Sequence, residues 1–158
     1  MNRKPEPQSL LVNKYREHQV FIAEIISYLL ILLFIYTAAN KIWKFHNFSW
    51  VLGTLPLIGK FNLIIAYGVP GAEIAASLLL LFDKTRKYGL ILSALLLTMF
   101  TAYLVFMVIY TDNLPCNCGG VLSSLSWKQH ILFNLVFLAL AIAALVIESN
   151  KKRDQSIR

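Results

Sequence analysis

Cysteine is nearly missing from this chain: 158 residues contain two, Cys116 and Cys118. Two thiols exclude a multi-bridge disulfide scaffold, and leave one bridge, half of a metal site, or two free thiols. Acid is scarce as well, with 8 Asp and Glu against 15 Lys and Arg and a net charge of +7. A basic chain often marks a nucleic-acid partner. Here the basic residues stand beside apolar runs, which assigns them to membrane topology and anionic headgroups, with no nucleic acid expected. No internal repeat, phosphate-binding glycine loop or zinc-helix motif is present. Polar surface is short too: 58% of the residues are hydrophobic, above the roughly half of an ordinary soluble domain. Lipid must cover the excess.

What is there is a set of long apolar runs. Met1 to Gln19 is a polar arm with Arg3, Lys4, Lys14 and Arg16, mobile and with a short surface helix expected at its end. Four spans follow in one membrane domain over residues 20–147: Val20 to Asn40, Phe61 to Phe82, Tyr88 to Tyr110 and Gln129 to Ile147. Each approaches the roughly 20 helical residues that cross a bilayer core. Thr37-Ala38-Ala39 loosely fits a signal-cleavage site, but the apolar stretch and its leader are long for a signal, so an uncleaved helix is expected. Glu148 to Arg158 is a charged tail. The fold class is therefore all-α, an integral membrane four-helix bundle. A short interfacial segment is expected in the first connection, where Trp43, Phe45, His46, Phe48 and Trp50 precede the breakers Gly53, Pro56 and Gly59.

Four spans put both termini on one side. The termini and the Asp83 to Lys87 turn hold eleven Lys and Arg; the other two connections hold four, Lys41, Lys44, Lys60 and Lys128. The positive-inside rule places the termini in the cytoplasm. The loop from Thr111 to Lys128, with both cysteines, then faces outward, where disulfides persist.

That loop contains Cys116-Asn117-Cys118 followed by Gly119-Gly120. Two thiols one residue apart close only a small, tight ring, and strain makes a disulfide easier to reduce. The pair reads as an exchanging redox couple, as an inert staple, or as two soft metal ligands. A four-ligand site lacks two further cysteines, so no metal site is assigned. His130 stands at the loop-side start of the fourth span and reads as a proton exchanger for a thiol at neutral pH or as an interfacial histidine that only snorkels; Asn134 lies one turn deeper on the same face. Glu73 falls near the middle of the second span, where a carboxylate is costly and takes a partner. Lys41, at the end of the first span, is the nearest in topology. The pair reads as a packing clamp or as a proton relay beneath the loop. Trp50, Tyr110 and Trp127 fall at the same boundary and read as a membrane-interface belt or as a wall of a quinone or partner groove. No cofactor is fixed by the residues; a quinone is the one such a groove would take.

Lys41, Pro70-Gly71-Ala72-Glu73, and Cys116-Asn117-Cys118-Gly119 with Trp127 and Asn134 together resemble the MauE branch of the DoxX-like membrane proteins, the methylamine-utilisation MauE family. The resemblance covers roughly Val20 to Ile147, and Gly119 stands where the family commonly has Phe. It implies a four-helix protein of the bacterial inner membrane that helps form or maintain disulfides in an exported partner, alongside a thioredoxin-like protein. The plan is also similar to disulfide-forming quinone reductases, which carry Cys-x-x-Cys; that likeness is analogy.

The function expected is thiol–disulfide exchange by Cys116 and Cys118 with an extracytoplasmic thioredoxin-like protein or an exported thiol substrate. His130 would move protons, and Lys41, Glu73 and Asn134 would set charge and packing. The alternative is a non-enzymatic membrane subunit or assembly factor whose loop disulfide is a permanent staple. A small-molecule carrier with its site at Glu73 is a third.

Overall fold

A computed structural model describes residues 7–53, 59–110 and 127–157. They form five α-helices: α1 (Pro7–Trp43), α2 (Phe45–Gly53), α3 (Asn62–Leu81), α4 (Arg86–Tyr110) and α5 (Trp127–Ile157), with one 3-10 turn at Gly59–Phe61 before α3. No strand occurs among the described residues. Four of the helices contain segments long and apolar enough to cross a membrane: Glu17–Trp43, Gly59–Leu81, Arg86–Phe106 and Lys128–Lys151.

Two helices run past their apolar segments. α1 begins at Pro7, well before the apolar run, and α5 continues to Ile157. Proline suits the first helical turn, where its missing N–H has no partner to lose. Between Gln8 and Gln19, and again from Glu148 to Ile157, there is no glycine or proline to stop a helix.

The four long helices close into a ring. α1 packs on α3 and α5, and α4 packs on the same two. Late α1 meets mid α3 and early α1 meets the start of α4, through Lys41–Glu73 and Arg86–Glu24. The bundle therefore has a turn end, holding the tight α3–α4 connection, and a loop end, where α2 lies, α4 stops and α5 begins.

Between the ends the core is apolar and tightly filled by Leu30, Phe34, Leu80, Leu90, Leu97 and Ala141. Small residues allow close approach, as membrane helices require when packing rather than water exclusion joins them. Gly89 shows how close: a Cβ there would sit 2.8 Å from the Leu80 backbone nitrogen. Ser27, Ser77 and Ser93 are buried in the same interior, each donating to the carbonyl four residues back, on Ala23, Glu73 and Gly89. Leu32, Ile64, Leu78, Met99 and Leu132 point outward, each more than half exposed. Such a surface suits lipid and not water.

The turn end is clamped. The Thr85 hydroxyl donates to the carbonyl of Leu79 at 2.8 Å, meeting one of the acceptors left over where α3 stops. Arg86 is buried, and its guanidinium pairs with Asp83 in the turn and, at 3.5 Å, with Glu24 of α1. The loop end is closed on one side by α2. Leu52 packs onto Ala66 of α3, with Phe45, Phe48 and Tyr103 around them. The Phe45 and Tyr67 rings stand 4.5 Å apart and tilted, and the Asn62 amide donates to the Ser49 carbonyl.

Candidate functional site: a buried charged layer at the loop end

Two carboxylates among the described residues are buried, Glu148 of α5 at 3% exposure and Glu73 of α3 at 1%, and Glu73 faces α1. The reason is local. Residues 66, 70, 73, 77 and 80 form one buried stripe on α3, at the three-and-four spacing that keeps side chains on one helical face. The stripe is turned into the bundle by its apolar members, and Glu73 goes with them.

A carboxylate at that depth needs a countercharge. Lys41 supplies it: its Nζ donates to Glu73 Oε1 at 2.7 Å. The Thr37 hydroxyl lies 3.1 Å from the same oxygen and 3.1 Å from the carbonyl of Phe34, and its one proton serves either acceptor. Thr37 and Lys41 are one turn apart on α1, so both reach the same carboxylate. The ammonium also stands 4.9 Å from the centroid of the Phe100 ring on α4, a placement in which the negative ring face favours a cation. The second carboxylate oxygen, Oε2, is buried and has no hydrogen-bond partner among the described residues.

The fourth wall is α5. His130, in its first turn, is half-buried and close enough to Lys41 to feel its charge. Asn134, one turn further in, is buried at 7% exposure. Residues from all four long helices thus gather around Lys41: Thr37, Glu73, Phe100 and His130.

Of the residues singled out in the sequence, Lys41 and Glu73 come together as a pair, with His130 as a neighbour of Lys41. Trp50 is on α2 with 65% of its surface exposed. Tyr110 ends α4 and Trp127 begins α5; the side chains of both lie outside the described residues. Cys116 and Cys118 also lie outside them, in the connection from α4 to α5. Thr37 and Phe100 were not read as site residues in the sequence. Thr37 carried one weak signal, its place one turn before Lys41; Phe100 carried none inside an apolar run.

A family model described as methylamine utilisation protein MauE matches residues 19–147. The chain belongs to the MauE family. The match begins in α1 and runs to the last apolar turns of α5, so it takes in the whole ring and the cysteine-bearing connection of this MauE protein. Comparisons with curated proteins and with solved structures found no match. The charged layer described above lies entirely inside the matched segment, as do both cysteines.

Proposed function

We propose that this MauE protein is a thiol–disulfide exchanger of the bacterial inner membrane, with Cys116 and Cys118 as its exchanging pair. The observation that carries the reading is covalent. The only two cysteines of the chain sit in the connection between α4 and α5, and those helices contribute Phe100 and His130 to the charged layer.

In the proposed step, the thiolate of one cysteine attacks a disulfide of a thioredoxin-like protein or an exported substrate. A mixed S–S bond forms, the partner's S–S bond breaks, and the partner's leaving sulfur departs as a thiolate. The second cysteine then attacks the mixed disulfide, closing Cys116 to Cys118 and releasing the partner as a dithiol. Two electrons and two protons have moved to the partner. His130 takes the proton from the attacking thiol, and a neutral imidazole suits that work near neutral pH. Run backward, the same chemistry delivers a disulfide. The charge distribution supports an outward loop and cytoplasmic termini, since eleven of fifteen Lys and Arg fall on the terminal side.

Single variants test it. With Cys116→Ser and Cys118→Ser made separately, one of the two should accumulate mixed disulfides on a non-reducing gel, and these should vanish with reductant. If neither variant traps a partner and the wild-type bond resists mild reductant, the cysteines are a staple and the protein is an assembly factor or subunit.

A further inference from the structure

Two acceptors on α3 point to a feature outside the thiol chemistry. The first is made by Pro70, which lies inside α3. Proline has no N–H, so the carbonyl of Ala66, four residues back, loses its donor within the helix. Ala66 is fully buried beneath α2. The second is Glu73 Oε2, buried and without a hydrogen-bond partner among the described residues. Ala66, Pro70 and Glu73 share the buried stripe, and helical side chains lean toward the helix N-terminus. That lean sets a side chain at Glu73 on the Pro70 side of its own backbone.

The protein donors that face Glu73 are already engaged. Ser77 donates to the backbone carbonyl of Glu73 at 3.0 Å. Thr37 is shared between Phe34 and Oε1, and Lys41 is held on Oε1. Backbone acceptors freed by proline inside membrane helices are met by neighbouring side chains or by ordered water. A species that serves two acceptors must carry two O–H bonds and be small. Water does, and so does a hydrated proton.

We infer that a hydrated proton-uptake site lies at the Pro70 step of α3, between the Ala66 carbonyl and Glu73 Oε2, and opens toward the loop end. The carboxylate is divided for this. Oε1 stays with Lys41 and Thr37, while Oε2 takes the proton: hydronium gives up one proton, an O–H bond forms on Oε2, and a water remains. No electron moves. The groups facing the site from each packed element are few. α1 brings Lys41 and Thr37, α4 brings the Phe100 ring beside Lys41 and Tyr103 beside Ala66, α2 brings apolar Leu52, Phe45 and Phe48, and α5 brings His130, close enough to Lys41 to feel its charge. Lys41 is the charged partner, so uptake on Oε2 leaves the Lys41–Glu73 pair with a net positive charge. The inference needs neither cysteine.

The test is infrared difference spectroscopy on the full chain in lipid nanodiscs, acid minus near-neutral, in light and heavy water. A protonated-carboxyl C=O band should grow on acidification and shift in heavy water. It should be lost in the isosteric Glu73→Gln and kept in the Cys116→Ser/Cys118→Ser double variant, which separates this outcome from any failure of the thiol reading. Pro70→Ala restores the N–H that occupies the Ala66 carbonyl, and should slow deuterium uptake into the band while circular dichroism stays helical. A wild-type spectrum without such a band, or a band that survives Glu73→Gln, would overturn proton uptake at Glu73. Deuterium uptake as fast in Pro70→Ala as in wild type would overturn the hydrated step.

Discussion

Glu73 meets its neighbours through one oxygen, and Lys41 is the charged one among them. Removing one member of a buried ion pair strands the other, at a cost of about 3–5 kcal/mol. Lys41→Met should show that loss in detergent-monitored unfolding. Adding Glu73→Gln should restore most of it, because the stranded charge goes too. A double variant whose loss equals the sum of the single losses would mean the two side chains are uncoupled. Glycine positions give a sharper contrast. At Gly89 a Cβ would meet Leu80 N at 2.8 Å and Leu79 C at 3.0 Å. Both are backbone atoms, so α4 must shift, and Gly89→Ala should destabilise by about 1–3 kcal/mol, as overpacking does. At Gly71 nothing lies within 4 Å of a Cβ, and Gly71→Ala should be neutral or stabilise by up to about 1 kcal/mol through the better helix propensity of alanine. The same unfolding assay reads both, and equal effects at the two positions would refute the close α3–α4 crossing.

At the scale of elements, α2 is the piece with the least covalent reason to stay where it is. Nine residues make barely two and a half turns, too few for a stable isolated helix. Its place rests on Leu52 over Ala66, on the aromatic contacts, and on Asn62 to Ser49. Ala66→Leu inserts bulk where no space exists and should push α2 away at about 1–3 kcal/mol. With Trp50 as the sole tryptophan, in a Trp43→Phe/Trp127→Phe background, its emission should shift. An unchanged spectrum would mean α2 does not rest on that residue. The aromatic alternation of residues 45–50 made this helix legible in the sequence, since such segments seek the headgroup zone. The polar starts and ends of the long helices were legible only in part, as a short surface helix at the end of the N-terminal arm. Residues 7–19 and 148–157 have no bilayer-length apolar run to announce a helix, and the structure extends α1 and α5 through them because nothing breaks them.

For the whole molecule, charge is stacked in two layers with a dry core between. Glu24 and Arg86 mark the turn end, and Thr37, Lys41 and Glu73 the loop end. Thirteen helical steps along α1 take the chain from Glu24 to Thr37, about 20 Å at helical rise. The loop-end layer was half legible: a carboxylate deep in an apolar run demands a cation, and Lys41 ends the neighbouring run, whereas a threonine and a phenylalanine carry no such demand. The turn-end layer was hidden, because Arg86 reads in sequence as one more topology-setting charge and the structure buries it at 5%. Its burial bears on orientation. The neighbouring Lys84 is exposed and belongs to the basic terminal side, which the positive-inside rule assigns to the cytoplasm. Membrane-impermeant maleimide on intact cells should therefore label wild-type Cys116 and Cys118 after mild reduction. It should label Lys84→Cys, made in the Cys116→Ser/Cys118→Ser background, only once the membrane is opened. The opposite pattern would put the cysteine loop in the reducing compartment, where an exchanging disulfide would not persist, and would remove the compartment on which the thiol reading depends.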